Sequence, residues 1–112
     1  PRGFLEILDD GSLRCACAID EGVVFRVADQ VDYAEQLQTA LGRIRRDLGN
    51  DAVLLGFECA ARKQLVQLYG LEAPVSALFG EYNVWGFSCM GEQSSVLNVN
   101  NSFNCIAFRA HR

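Results

Sequence analysis

The sequence has few of the residues on which common catalytic sites depend. It contains one histidine, His111, one position before the end. Schemes in which histidine activates a serine or cysteine nucleophile need a base that the rest of the chain does not supply. A glycine-rich phosphate loop of the P-loop or dinucleotide type is also missing. The acidic pairs Asp9-Asp10 and Asp20-Glu21 fall in turn-forming clusters, where solvation accounts for them. We therefore expect a protein that is not an enzyme.

Acidic residues outnumber basic residues in this chain. Ten Lys and Arg against 14 Asp and Glu give a net charge of -4. Nucleic-acid binding depends on basic surface that meets phosphates, so we expect no nucleic-acid partner. The same balance disfavours an anionic membrane surface, and no apolar run approaches the roughly 20 residues that a bilayer requires. A hydrophobic content of 50% is typical of a globular domain.

Five cysteines are an odd number, and most lie inside apolar runs: Cys15, Cys17, Cys59, Cys89 and Cys105. This pattern predicts free, buried thiols in a reducing, cytoplasmic compartment. Cys15 and Cys17 are the only close pair and would share one face of a strand. A structural zinc site usually needs two further ligands at tight spacing, which are missing, so we expect no metal.

The chain of 112 residues is the size of one domain. It begins at Pro1 without an initiator methionine, and its polar first residues do not have the layout of a signal peptide. From the missing methionine we expect residues 1–112 to be one domain of a longer protein.

The first half of the chain predicts hairpins and then a helix. Segments 4–8, 13–19 and 23–27 are apolar runs separated by turn residues, which predicts three strands in consecutive hairpins. A single apolar stripe then follows at spacings of three and four residues, formed by Val31, Ala34, Leu37, Leu41, Ile44 and Leu48. It predicts an amphipathic helix over 31–48, capped by Asp29 and ended by Gly49.

The second half predicts further strands and helices. The apolar run 52–57 predicts a central strand buried on both faces. Two helices are then predicted, at 60–69 and about 73–79. Two strands are predicted at 83–89 and 103–110, and a polar loop at 90–95. The expected fold is a single α+β domain with a mostly antiparallel sheet and two to three helices packed on it.

Three local features each allow two interpretations. Cys59-Ala60-Ala61-Arg62 begins a helix, where backbone amides and an Arg attract an anion; alternatively it is a capping thiol beside a surface Arg. In 85–92, Gly86 and Gly91 allow close approach of backbone to a ligand before Glu92; alternatively this is a bulge with an exposed acid. The side-chain amides of residues 98–102 form hydrogen bonds either to a polar ligand or only within their own turn.

In this order, the three features resemble the C-terminal domain of the FIST family, named for F-box and intracellular signal transduction. The resemblance includes an acidic turn and short strand at 20–26 and the Cys-x-x-Arg element that ends 54–62. It continues with the Gly-Phe and Gly-Glu pairs of 86–92, and with Asn100-Asn101-Ser102, where Ser stands for the family's Thr. It extends over about residues 11–110.

The resemblance implies a ligand-sensing module of bacterial signal transduction. It implies small ligands such as amino acids, an N-terminal FIST domain in the parent protein, and an effector such as a histidine kinase or diguanylate cyclase. Some members bind haem, but a family histidine near the Asn-x-Thr element is replaced by Asn98 or a neighbour. With only His111 left, we expect no cofactor.

We expect the ligand where the helix start at 59–62 faces the strand end at 86–92. Arg62 would clamp an anionic group, while Glu92 and Asn100 would take an amine or other donors. An apolar wall would come from Trp85 or Phe87. The full candidate set is Cys59, Arg62, Trp85, Phe87, Glu92, Asn100 and Ser102. The alternative is a structural or dimerisation module with no ligand of its own, and a homodimer is left open.

Overall fold

The computed structural model describes residues 3–27, 29 and 31–109. Three helices are α1 (Tyr33–Leu48), α2 (Ala60–Leu68) and α3 (Glu72–Glu81). The strands are β1 (Phe4–Ile7), β2 (Leu13–Cys15), β3 (Val53–Cys59), β4 (Val84–Cys89), β5 (Glu92–Ser94), β6 (Leu97–Val99) and β7 (Phe103–Phe108). The predicted α+β class is confirmed. Within the described residues, no helix combines the length and apolar character needed to cross a bilayer.

A three-stranded sheet in the order β4-β3-β7 forms the centre of the domain. Strand β3 pairs in parallel with β4, so that Leu55 lies opposite Trp85, and antiparallel with β7, so that Leu55 also lies opposite Ile106. The parallel pairing is possible because α2 and α3 form the crossover between β3 and β4. The hairpins β1–β2 and β5–β6 are antiparallel. The predicted strands 52–57 and 103–110 are confirmed as β3 and β7, which pair with each other.

Helix α1 follows the predicted apolar stripe but begins later than predicted. The cap is Asp32, whose Oδ1 accepts a hydrogen bond of 2.8 Å from the backbone N–H of Glu35. The predicted cap Asp29 was wrong, because the helix starts only at Tyr33. Gly49 ends the helix with a φ of 93°, in the left-handed region that glycine adopts most easily.

The core lies between the helices and one face of the sheet. Its buried members are Leu37, Leu41, Ala52, Leu54, Val66 and Val75. Strand β3 turns Leu54 and Gly56 toward this core, whereas Val53, Leu55 and Phe57 point to the opposite face. No described helix packs over that opposite face, and β5 borders only its end near Phe57 and Phe87. The prediction that β3 is buried on both faces was therefore wrong.

Gly56 leaves the space into which an aromatic ring packs. A Cβ at this position would come within 2.8 Å of the Phe103 ring. Without it, Phe103 stacks on Phe79 of α3 with ring centroids 5.4 Å apart. This contact joins the last strand to the helical layer.

Two predicted strand segments differ from the structure. Strand β2 ends at Cys15, and 23–27 has no regular secondary structure, so the predicted third strand was wrong. Alternating apolar residues need a neighbouring strand, and none pairs with 23–27 among the described residues; Val24 is 89% exposed.

The predicted polar loop at 90–95 was also wrong, because β5 and β6 form a hairpin there. Its short turn places Ser95 at a φ of 54°. The predicted helices at 60–69 and 73–79 are confirmed as α2 and α3, with Pro74 in the first turn of α3.

Candidate functional site

The junction between β3 and α2 begins the candidate site. Cys59 is the last residue of β3 and the N-cap of α2, and its backbone N–H donates a 3.0 Å hydrogen bond to the carbonyl oxygen of Ser102. No side chain caps α2, and its first turn contains no acidic residue. The first backbone N–H groups of a helix have no partner within it, so this end of α2 favours negative charge.

A cavity of about 380 Å³ lies at this helix start, and we call it the α2 cavity. Four segments line it: the β1–β2 hairpin with Leu5 and Ala16, the helix start with Cys59, Ala60, Ala61 and Gln64, the strand end with Met90 and Gly91, and the loop with Asn100 and Asn101. The small side chains of Ala60 and Ala61 leave the space in front of the helix open.

The hairpin is held over this cavity by the loop. Gly3 lies so close to Asn101 that a Cβ on Gly3 would overlap the side-chain amide. The backbone N–H of Ala16 donates to the carbonyl of Gly3 at 2.9 Å, which extends the hairpin. The β1–β2 hairpin therefore forms the roof of the α2 cavity.

Glu92 lies behind the cavity and is buried, with 3% of its surface exposed. Its Oε2 accepts a 2.9 Å hydrogen bond from Ser102 Oγ, and its Oε1 accepts one of 3.4 Å from Cys89 Sγ. Ser102 Oγ in turn accepts from Asn104 Nδ2 at 2.9 Å. Glu92 thus ties β5 to the loop that carries Asn100, and the interpretation of Glu92 as an exposed acid was wrong.

The pKa of the Cys89 thiol lies above its usual value. Burial raises its pKa, and the hydrogen bond to Glu92 and the negative charge of Glu92 raise it further. Cys89 is therefore a protonated donor to Glu92 at neutral pH, rather than a thiolate nucleophile.

Arg62 lies on the other side of α2. Its guanidinium carbon is 4.4 Å from the centroid of the Tyr33 ring, and its Nε is buried without a hydrogen-bond partner. Tyr33 Oη donates a 2.6 Å hydrogen bond to Glu58 Oε1. The ion pairs among the described residues are Arg14–Glu6 and Arg45–Glu81, so neither Glu58 nor Glu92 pairs with Arg62.

Trp85 and Phe87 lie on the sheet face that the helices leave uncovered. Trp85 is 69% exposed, and its indole Nε1 donates to Asn83 Oδ1 at 2.7 Å. Phe87 packs edge-to-face on Phe57, with centroids 5.4 Å apart. Of the seven candidate residues, Cys59 and Asn100 line the α2 cavity, and Ser102 joins Cys59 to Glu92 through hydrogen bonds. Glu92 and Phe87 line a separate cavity of about 660 Å³ between β5 and the sheet. Arg62 and Trp85 line neither cavity.

Sequence reasoning missed the hairpin side of the cavity. Leu5 and Ala16 are ordinary strand residues by sequence, and nothing in their neighbourhood indicates contact with residues 59–61. Of the two glycines that the sequence singled out, Gly91 lines the cavity, with a φ of 99° that favours glycine. Gly86 instead lies against the backbone of Gly56 on the neighbouring strand.

All five cysteines are free thiols. Cys59 is buried, while the other four are only half-buried, so the predicted burial holds for Cys59 alone. In the described part of the chain, no group of three His, Cys, Asp or Glu side chains is arranged to hold a metal ion. His111 lies outside the described residues.

A comparison with protein families agrees with the motifs. The sequence model of the FIST C domain matches residues 2–95. The chain belongs to the FIST C domain family. FIST C domains are sensory domains of signal-transduction proteins. No curated protein and no solved structure matches the chain.

The match covers the first two of the three features that carry the expected resemblance and does not extend to the third, at 98–102. It includes the junction of β3 and α2, β4, and Glu92, but it stops before Asn100. The loop with Asn100 and Asn101 therefore belongs to the α2 cavity by geometry, beyond the part matched to the family.

Proposed function

We propose that this FIST C domain is a non-enzymatic sensory domain that binds a small polar ligand in the α2 cavity. The observation that carries the proposal is the cavity itself, where an uncapped helix start without an acidic residue opens onto two asparagine side chains. In the proposal the parent is a cytoplasmic bacterial protein with an N-terminal FIST domain. It passes the ligand state to an effector such as a histidine kinase or diguanylate cyclase.

The helix start selects an anionic group of the ligand. Backbone N–H groups and the helix dipole favour a carboxylate or phosphate there, and Ala60 and Ala61 leave room for it. Arg62 adds positive charge to the same end of α2, although its guanidinium packs on Tyr33 rather than in the cavity.

The loop with Asn100 and Asn101 binds the hydrogen-bonding groups of the ligand. The side-chain oxygens of Asn100 and Asn101 accept hydrogen bonds from an ammonium group, while Leu5 and Met90 offer apolar contact. Carboxylate, ammonium and a small apolar part are the groups of a free amino acid. A volume of about 380 Å³ is at the small end of ligand sites, which fits a ligand of that size.

The buried residues next to the cavity act as positioning residues. Glu92 and Ser102 fix the loop that carries Asn100, and the backbone of Cys59 anchors the same loop. Trp85 and Phe87 have no contact with this ligand in the proposal, and the sheet face on which they lie is considered below.

The hairpin provides a route from ligand to effector. Strands β1 and β2 pair only with each other among the described strands. A ligand that contacts both the helix start and the roof residues Leu5 and Ala16 stabilises one hairpin position over others. Such unequal binding of two conformations is what a sensor requires.

The experiment is thermal unfolding of this chain with each of the twenty common L-amino acids in turn. We expect at least one to raise the Tm of the wild type, because a ligand that binds only the folded state stabilises it. Ala61→Asp should abolish that increase, because its carboxylate occupies the anion position. The apo Tm should hold or rise, since an acid in the first turn is favourable.

The matched control is Gln67→Glu, which adds the same charge to the exposed far end of α2 and should keep the response. If no amino acid stabilises the wild type, or if Ala61→Asp responds as the wild type does, the proposal is contradicted.

A further inference from the structure

One face of the central sheet is apolar and is covered by no described helix, and we call it the open sheet face. Strand β5 borders it at the end near Phe57 and Phe87, beside a cavity of about 660 Å³. It consists of Val53, Leu55, Phe57, Trp85, Phe87, Ile106 and Phe108. The exposed fractions of Trp85, Phe87, Ile106 and Phe108 are 69%, 62%, 53% and 52%. Aromatic side chains each contribute up to roughly 150–250 Å². The face therefore reaches the upper end of the roughly 300–600 Å² found for the largest apolar patch on a monomer.

A second unpartnered apolar element lies in the same chain. Residues 19–27, which we call the apolar arm, have no regular secondary structure, and exposed apolar side chains occur along them. These are Ile19, Val23, Val24, Phe25 and Val27, with Val27 fully exposed. Val23, Phe25 and Val27 alternate as the residues of a strand do, but no described strand pairs with them.

The arm does not cover the open sheet face of its own molecule. The exposed fractions of Val24, Phe25 and Val27 are 89%, 51% and 101%, so these side chains are not buried against the sheet of their own chain.

We propose that two copies of this chain associate, with the apolar arm of each packed on the open sheet face of the other. One chain contains both halves of this contact, so a second copy satisfies both at once. A two-fold axis repeats the contact and closes the assembly. Together, arm and face supply about the 800 Å² per partner that a stable interface needs.

The sheet edges add a backbone component to this pairing. In the order β4-β3-β7, the outer strands β4 and β7 each have one side without a described partner strand. An extended segment such as 23–27 can add to such an edge through main-chain hydrogen bonds. Residues 23–27, which alternate like a strand but pair with no described strand, would gain a partner strand in the dimer.

Sedimentation equilibrium of this chain, without any amino acid present, tests the proposal. We expect a dimer for the wild type. Trp85→Lys on the face and Phe25→Asp on the arm should each weaken dimerisation at least about tenfold, because each places a charge in an apolar contact. Leu68→Lys is the matched control, since Leu68 is 75% exposed but lies on α2, away from both elements. It should dimerise as the wild type does.

Trp85 offers a second readout that requires no substitution. It is the only tryptophan, so its fluorescence reports on the open sheet face alone. Its emission should shift to the red on dilution, as the face becomes exposed to water. A wild type that stays monomeric, with emission independent of concentration, overturns the proposal. A dimer that both Trp85→Lys and Phe25→Asp leave intact also overturns it, and loss through Trp85→Lys alone overturns the role of the arm. None of these results depends on ligand binding in the α2 cavity.

Discussion

Tyr33 and Glu58 are joined by a hydrogen bond of 2.6 Å between the phenolic oxygen and Oε1, although 25 positions separate them in the sequence. The bond ties the first turn of α1 to the end of β3, immediately before the α2 cavity. Burial raises the pKa of Tyr33 to about 12, and the hydrogen bond to Glu58 acts in the same direction.

This shift predicts a loss of stability at alkaline pH. In the unfolded chain Tyr33 loses its proton near pH 10, whereas in the folded chain it keeps the proton until about pH 12. The stabilisation is therefore complete below pH 10 and disappears as the pH rises toward 12. Tyr33→Phe should lower the free energy of unfolding by about 1–2 kcal/mol at pH 7. Urea unfolding at pH values from 7 to 11.5 should show the two curves converging.

The control for this series is Tyr69→Phe, because Tyr69 is 53% exposed. Its free energy of unfolding should follow that of the wild type at every pH. A difference between wild type and Tyr33→Phe that stays constant through pH 11 would show that the hydrogen bond does not control the titration.

Arg62→Ala distinguishes a ring contact from a buried ion pair. Since Arg62 stacks on Tyr33 and no described acid pairs with it, the free energy of unfolding should fall by about 0.5–2 kcal/mol. Removal of one member of a buried ion pair would instead cost about 3–5 kcal/mol. Lys63→Ala, at the exposed next position, is the control and should change stability by less than about 0.5 kcal/mol. A loss for Arg62→Ala as large as that of a buried ion pair would contradict the assigned contact.

Ser102→Ala tests the hydrogen bonds behind the cavity. The substitution leaves Glu92 Oε2 and Asn104 Nδ2 without the hydroxyl that both contact. A lost hydrogen bond to a charged group predicts a decrease of about 1.5–3 kcal/mol in unfolding free energy. Ser94→Ala on the exposed side of β5 makes the same chemical change without these partners. If thermal unfolding gave Ser102→Ala and Ser94→Ala the same Tm, the hydrogen bond from Ser102 to Glu92 would not stabilise the fold.

Gly86→Ala and Gly80→Ala should change the free energy of unfolding in opposite directions. A Cβ at Gly86 would overlap the backbone carbonyl of Gly56 on the neighbouring strand, so we expect a loss of about 3 kcal/mol or more. Gly80 lies in α3 with nothing within 4 Å of an added Cβ. There alanine should stabilise by about 0.5–1 kcal/mol through helix propensity. Chemical unfolding of both variants checks the signs, and a neutral Gly86→Ala would contradict the close pairing of β3 and β4.

Elements defined by local periodicity could be predicted from the sequence. The stripe from Ala34 to Leu48 predicts α1 because its spacing matches the helical repeat. Its cap could not be read as reliably, because Asp29 and Asp32 are both good capping residues. The choice depends on which carboxylate reaches a backbone N–H, and in the structure Asp32 reaches that of Glu35.

Features that depend on partners distant in the sequence could not be predicted. Segment 23–27 has the alternation of a strand, but a strand also needs a neighbour to pair with. The burial of Glu92 depends on donors from Cys89 and Ser102, and the position of Arg62 depends on the ring of Tyr33. The chemistry of the helix start was visible in the sequence, whereas the hairpin that roofs it was not.

The binding of an amino acid in the α2 cavity is tested most directly by a nuclear magnetic resonance titration of ¹⁵N-labelled chain with the most stabilising amino acid. The proposal predicts saturable shifts of the backbone amides of Ala60, Ala61 and Gly91 and of the side-chain amide of Asn100. Amides of the far end of α1, such as Arg46, should not move. Saturable shifts confined to residues outside the cavity, or no shifts at concentrations that raise the Tm, would contradict it.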